Sequence, residues 1–233
     1  EFRRVLFCSV PLTTPDPVTL QTLLREVKAD GGEAFALEAS SIGLVQGRLD
    51  GTAIRLALFT NLTRDHLDYH KTMQAYEQAK ALLFKRPGLQ AAVINVDDPA
   101  GARMCQVARS AGVRVIAATS RGTGAPEGCE RIEERGVQVG AEGVDFDLAW
   151  RGEVRRVKAR VLGLFNVDNM IGAAGVMLAA GIGLEELVPM LEELEPPAGR
   201  LERVTGPGMP LGVVDYCHTP DAVEKALESL RPV

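Results

Sequence analysis

No run of eighteen apolar residues occurs in the 233-residue sequence, so no segment has the length and character a helix needs to cross a bilayer. The first residues carry neither a basic leader nor a small-residue cleavage site, and the expectation is a cytoplasmic protein. Cysteine is scarce and never spaced as CxxC: Cys8, Cys105, Cys129 and Cys217 are scattered, which argues against a zinc site or a disulfide framework and for reduced, mostly structural thiols. An excess of positive charge is also lacking. Lys and Arg number 26 against 31 Asp and Glu, a net charge of −5, and the basic residues are spread among acids. Nucleic acid is therefore not an expected partner, and any anionic ligand must be held by a local site. Internal repeats and low-complexity tracts are absent, although Gly122 to Gly128 reads as a loop.

What is present is an ordinary globular composition, 46% hydrophobic and 24% charged, long enough for one large domain and part of a second. Apolar residues recur at near-helical spacing from Val18 to Lys28, and Gly31-Gly32 follows as a stop. Apolar runs at Ala34 to Leu37, Ile54 to Phe59, Ala91 to Val96 and Val113 to Ala118 read as strands, interleaved with helical patterns at Thr72 to Phe84 and Pro99 to Ala111. That alternation predicts an α/β fold with a mostly parallel sheet flanked by helices. Between Arg131 and Leu164 the segments Val137 to Val139, Val144 to Leu148 and Val154 to Val161 are separated by Gly-containing turns and predict a small antiparallel region. Helices at Val167 to Ala180 and Leu184 to Glu193 precede a Glu195-Pro196-Pro197-Ala198-Gly199 break, which suggests a boundary near Gly199 to Gly206. Beyond it lie one strand, Gly212 to Asp215, and one helix, Asp221 to Leu230, too little for an independent core. The domain reading is 1–199 as a central unit and 200–233 as the start of another.

All three histidines fall in two short windows. The first, Thr60-Asn61-Leu62-Thr63-Arg64-Asp65-His66-Leu67-Asp68-Tyr69-His70, follows a predicted strand, where open α/β sheets bind ligands. Carboxylates and imidazoles at this density suit a divalent cation, and equally a polar loop with helix-capping aspartates. Glu38 closes an apolar run, and such an acid is commonly a surface or capping residue. Lys80 lies among small and apolar neighbours; it either extends to solvent or, if buried, has a lowered pKa and supplies a neutral amine. The second window, Asp215-Tyr216-Cys217-His218-Thr219-Pro220, also follows a strand. Asn166-Val167-Asp168-Asn169 opens a helix whose amides favour phosphate or polar ligands, with a cap and a turn as the plain alternatives.

Taken together, Leu12-Thr13-Thr14-Pro15, Glu38-Ala39-Ser40-Ser41 with Gln46-Gly47-Arg48, the Thr60 to His70 run, Ala79-Lys80, Asn95 to Pro99, Phe165 to Asn169, Gly199-Arg200-Leu201-Glu202 and Asp215 to Pro220 make the chain resemble the Mur ligase family over essentially its whole length. The Thr60 to His70 run is the most specific of these and points to the tripeptide-synthetase branch. The resemblance implies a P-loop NTPase-like central domain followed by the start of a Rossmann-like C-terminal domain. It implies an ATP-dependent amide ligase that adds a diamino acid, meso-diaminopimelate in preference to L-lysine, to UDP-N-acetylmuramoyl-L-alanyl-D-glutamate through an acyl phosphate.

By the same resemblance Thr13, Thr14, Ser40, Gln46 and Arg48 hold the UDP-linked dipeptide. Glu38, His66 and Lys80 serve catalysis and two Mg²⁺ ions, Lys80 as a carbamate. Asn166, Asn169, Arg200, Asp215 and His218 contact the nucleotide. The resemblance suggests a monomer, with neither membrane nor nucleic acid as a partner. A Gly-rich phosphate loop of the Gly-Thr-x-Gly-Lys-Thr kind is expected to precede this sequence and is not in it. Smaller departures are Leu12 for Asn, Ile42 for His and Cys217 for Ala. Two rival readings remain: a catalytically inactive piece that only binds nucleotide or a partner, distinguished by binding without turnover, and another ligase of the superfamily such as a folylpolyglutamate synthetase.

Overall fold

The computed structural model describes residues 12–205, 208–218, 220–231 and 233. Cys8 and Thr219, both named above, lie outside the described residues. Strands β1 (Leu56–Phe59), β2 (Ala91–Asn95), β3 (Arg114–Thr119), β4 (Glu130–Gly140), β5 (Gly143–Trp150) and β6 (Glu153–Ala159) form one six-stranded sheet in sequence order. The first four run parallel, β5 pairs antiparallel with β4, and β6 pairs antiparallel with β5. The antiparallel region expected from the Gly-containing turns is thus continuous with the parallel sheet, because β4 pairs with β3 through Ile116↔Glu130 to Thr119↔Glu133.

Alternation along the strands sorts the core into two layers. Val93, Ile116, Ala118 and Ile132 face helices α6 (Leu164–Ala179) and α7 (Leu184–Glu192) in one apolar cluster that continues through Phe146, Leu148 and Val157. Ala92, Ile94, Val115 and Ala117 point the other way, against α5 (Gly101–Ser110) and the 3-10 turn Leu82–Lys85 that extends α4 (Met73–Ala81). Helix α6 comes close to the sheet because it offers glycines there: a Cβ on Gly175 would lie 2.7 Å from Val93 Cγ1.

Helix α1 (Pro17–Ala29) starts where Asp16 Oδ1 accepts from the Val18 and Thr19 amides, with proline at its first position. Its Leu20 and Leu23 are buried while Val18 faces solvent, so the apolar stripe is narrower than the sequence pattern suggests. Residues 32–40 run on without secondary structure, contrary to the strand expected at Ala34 to Leu37. Phe35, Leu37 and Ala39 pack around Leu20, Leu44 and Leu49, which accounts for their apolar character, but no described strand pairs with their backbone. Two short helices escaped the periodicity, α2 (Ser41–Val45) and α3 (Leu67–His70).

After α7 the chain forms a bonded knuckle. Strands β7 (Glu202–Arg203) and β8 (Val213–Val214) pair antiparallel, Tyr216 N donates to Gly199 O at 2.8 Å, and Leu201 N donates to Asp215 Oδ2 at 2.9 Å. Helix α8 (Pro220–Leu230) lays Ala226 and Leu230 against Leu162, Phe165 and Leu201. Among the described residues no helix is long and apolar enough to cross a membrane.

Candidate functional site

Three loops meet beyond the carboxyl ends of β1, β2 and β3, the edge at which open α/β sheets bind ligands. Asn95 Nδ2 donates to Thr60 O at 2.8 Å and ties the first two together. Asp98 fastens the histidine loop, its Oδ2 accepting from Leu62 N at 2.9 Å. Within that loop Asp65 Oδ1 takes the His66 amide at 2.7 Å, and His66 has a left-handed backbone, φ +53°, that turns the chain into α3.

Tyr76, on α4, is the surface around which this loop is organised. Its buried ring stacks on His70 with centroids 5.2 Å apart and planes 17° from parallel, and meets His66 edge-on at 5.7 Å. One turn further along α4, Lys80 Nζ lies 5.2 Å from the same ring's centroid. Burial lowers the Lys80 pKa, opposed in part by the negative charges of Glu38, Asp98 and Asp65. The structure therefore brings His66 and Lys80 to one ring and puts the Glu38 carboxylate within electrostatic reach of the amine. Among the described residues no three of His, Cys, Asp and Glu gather as a metal-binding group. Glu38 and His66 supply two donors of the expected kind, and Lys80 becomes an oxygen donor only as a carbamate.

A second cluster adjoins the first through the Glu38 backbone. The buried Thr14 donates from Oγ1 to Glu38 O at 2.8 Å and lies 2.9 Å from Ser40 Oγ, while the Ser40 amide donates back to Thr14 Oγ1 at 2.8 Å. Arg48 Nη1 donates to Thr14 O at 2.9 Å, and its Nε to Gln46 Oε1 at 2.8 Å. Four of the five residues expected on the UDP-dipeptide side are thus one bonded unit; Thr13 beside them is exposed.

The remaining site residues lie around the start of α6 and the knuckle. Asn166 Nδ2 donates to Leu162 O at 2.7 Å, and Asn169 Nδ2 to Asn166 Oδ1 at 3.3 Å. Asp215 accepts from Leu201 N and from Cys217 N, the latter at 2.8 Å. Arg200 lies over the Tyr216 ring at 5.8 Å, and His218 meets that ring at 5.5 Å. Among the described residues no hydrogen bond or ring contact joins this group to the Lys80 cluster.

Three contributors were missed in the sequence. Tyr76 was detectable as the residue four before Lys80 on a predicted helix. Asp98 lay inside a quoted motif without a role. Asp97, half-buried beyond the end of β2, lay in the same motif without a role, and its partners come from the end of β3 and the loop after it: it accepts from Thr119 Oγ1 at 2.7 Å, Ser120 N at 2.7 Å, Arg121 N at 3.2 Å and Thr123 Oγ1. Burial pushes its pKa up, and these bonds outweigh the burial and hold it below the ordinary value.

An open α/β sheet with polar side chains and a pKa-shifted lysine gathered at its strand ends is the architecture of a small-molecule enzyme domain. Residues 4–177 match the model of the Mur ligase middle domain, and the chain belongs to the Mur ligase family. Among its relatives, a UDP-N-acetylmuramoyl-L-alanyl-D-glutamate–2,6-diaminopimelate ligase of Ralstonia nicotianae is 46% identical over 228 residues, covering 95% of this chain and 43% of that protein. A ligase of the same name from a Janthinobacterium species is 46% identical over 222 residues, covering 95% and 44%. A solved structure bearing that name superposes with a TM-score of 0.84 at 35% identity, covering 97% of this chain and 46% of the other. The chain thus spans less than half the length of these relatives.

Proposed function

We propose that this chain is the central part of a cytoplasmic ATP-dependent ligase that joins 2,6-diaminopimelate to UDP-N-acetylmuramoyl-L-alanyl-D-glutamate in peptidoglycan synthesis, with residues 1–199 as the central domain and 200–233 opening the next. The observation that carries it is the Lys80 amine, half-buried on Tyr76 and faced by Glu38, Asp65 and Asp98. A lysine with a lowered pKa holds more neutral amine near neutrality. That amine adds CO₂ and releases a proton, leaving a carbamate. The donor set of this carbamate, Glu38 and His66 fits Mg²⁺, a hard cation that prefers oxygen. When bound, the two ions neutralise charge on the transferring phosphoryl group.

The chain's own residues do the rest. Thr14, Ser40, Gln46 and Arg48, with Thr13 at their margin, orient the UDP-dipeptide, and Asn166, Asn169, Arg200, Asp215 and His218 hold the nucleotide. In the reaction the D-glutamate carboxylate attacks the ATP γ-phosphorus, and the bond to ADP breaks. The amine of diaminopimelate then attacks the acyl carbon, loses a proton and releases phosphate. Placement and electrostatics supply most of the rate. Ligation is assigned to the whole protein, because the matched relatives extend well beyond this chain, and we take that protein to act as a monomer.

The test is a transplant. Placing this chain in the matching segment of the Ralstonia relative should give a hybrid whose phosphate release from ATP requires both the UDP-dipeptide and diaminopimelate. Lys80→Ala in that hybrid should abolish turnover. A folded hybrid that binds ATP without ligating, or one in which Lys80→Ala is as active as its parent, sinks the assignment.

A further inference from the structure

His70 has no assigned part in the chemistry above, yet it is buried, polar and at the junction of two clusters. Its Nε2 lies 2.9 Å from Ser41 Oγ, and Ser41, itself buried, opens α2 directly after the Ser40 that bonds Thr14. A face of the imidazole stacks on Tyr76 at 17°, and Tyr69 meets the imidazole in a T-shaped contact at 4.9 Å. The backbone amide of His70 donates to His66 O at 2.9 Å, so the same residue fastens the end of α3 to the histidine whose ring meets Tyr76. Burial lowers the pKa of the His70 imidazole, against the pull of the Asp68 carboxylate.

We propose that His70 is a positioning residue: pinned to Ser41 and stacked on Tyr76, its ring fixes the tyrosine face on which the Lys80 amine rests and links that face to the Thr14–Ser40 cluster. A tyrosine ring on a two-bond side chain can swing about χ1 and χ2, and a parallel neighbour pinned at its edge by a hydrogen bond restricts that swing. The amine four residues along the helix then meets a fixed quadrupole beside Glu38, Asp65 and Asp98. The inference rests on the ligase reading for what Lys80 does, and on geometry alone for where Lys80 lies.

Two nuclear magnetic resonance readouts on this chain separate these. The Lys80 Cε protons report the Tyr76 ring through their ring-current displacement, and ¹³C-bicarbonate reports carbamate formation as a resonance that Lys80→Ala abolishes. His70→Leu keeps apolar volume and removes both the pin and the stack. It should collapse the ring-current displacement and raise the bicarbonate needed for half-carbamylation by about fivefold, the equivalent of losing one aromatic pair. Ser41→Ala removes only the pin and should give a smaller shift in the same direction, which keeps the inference open to test should His70→Leu not fold. Displacement and carbamylation unchanged in folded variants would overturn the positioning role. A displacement that depends on His70, in a parent chain that forms no carbamate at any bicarbonate concentration, upholds the positioning role and removes the metal-binding lysine from the ligase reading.

Discussion

The Ser120 hydroxyl stands between two carboxylates, donating to Asp168 Oδ1 while lying 3.3 Å from Asp97 Oδ2. A hydroxyl has one proton to give. Asp97 is already served by four other donors, so Ser120 is free for Asp168, to which no comparable set of donors turns among the described residues. Burial raises the Asp168 pKa, with the Asp97 charge adding to it and Ser120 and Arg121 opposing. The two acids therefore divide their roles: Asp97 keeps its charge and Asp168 holds its proton to higher pH than usual.

Opposite pH responses follow. The Asp97 contribution is present above its unfolded pKa, about 3.8, and is lost as pH falls through its lower folded value. The Asp168 contribution is present below about 3.8 and is lost as pH rises through its higher folded value. Asp168→Asn, which mimics the neutral acid, should leave the melting temperature at pH 8 unchanged or raised. Asp97→Asn should cost about 1–3 kcal/mol at that pH, because an amide offers one acceptor oxygen to several donors. Melting curves from pH 3 to 9 on both variants check this, and equal losses in the two would refute the division.

Lys80 carries a pH signature of its own. Its folded pKa is lowered below the ordinary 10.5, so between the two values the unfolded chain binds more protons and stability rises with pH. Lys80→Met should remove that rise and stabilise the chain at neutral pH in CO₂-free buffer. A variant whose pH–stability curve parallels the parent's would show that the amine is not desolvated.

Helix α6 provides a packing test. A methyl at Gly175 meets Val93 Cγ1 at 2.7 Å and Cγ2 at 3.3 Å, and valine in a strand has no free rotamer to yield. Gly175→Ala should destabilise by about 1–3 kcal/mol in chemical denaturation, despite the roughly 1 kcal/mol that alanine gains in a helix interior. At Gly172 the clash is with Leu58 Cδ1 at 3.0 Å, the end of a flexible side chain, and Gly172→Ala should cost less.

Thiol reactivity should be ordered by burial. The Cys105 pKa is pushed up to about 12 by burial, with Cys129 beside it adding to the shift. At pH 8 about one molecule in ten thousand then carries the thiolate, and iodoacetamide should leave Cys105 intact until the chain unfolds. Peptide mass spectrometry should show Cys217 modified well before it; early loss of Cys105 would mean that α5 opens locally.

The parallel strands could be read from the sequence because strands buried on both faces are nearly continuous apolar runs, as Ala91 to Val96 is. The same rule misled at Ala34 to Leu37. That run packs its side chains yet pairs with no described strand, and apolar pattern reports burial rather than backbone pairing. The partner of β4 was equally illegible, since nothing local says that Glu130 to Glu133 will align beside Ile116 to Thr119. Helices α2 and α3, at five and four residues, are too short to show a period. At the site, Lys80 stood out by its apolar neighbours, whereas the convergence of His66, His70 and Lys80 on Tyr76 depends on a left-handed turn at His66 that spacing does not encode.

The knuckle at residues 199–205 and 208–218 bears on mechanics. Gly199 N donates to Glu202 Oε2 at 2.7 Å, and Asp215 grips both Leu201 N and Cys217 N, so the Pro-rich crossing ends in a bonded latch rather than a slack tether. Leu201 packs with Leu162 and Phe165, and Asn166 Nδ2 is bonded to Leu162 O, so the corner that carries Arg200, Tyr216 and His218 is joined to the root of α6 by continuous protein contacts.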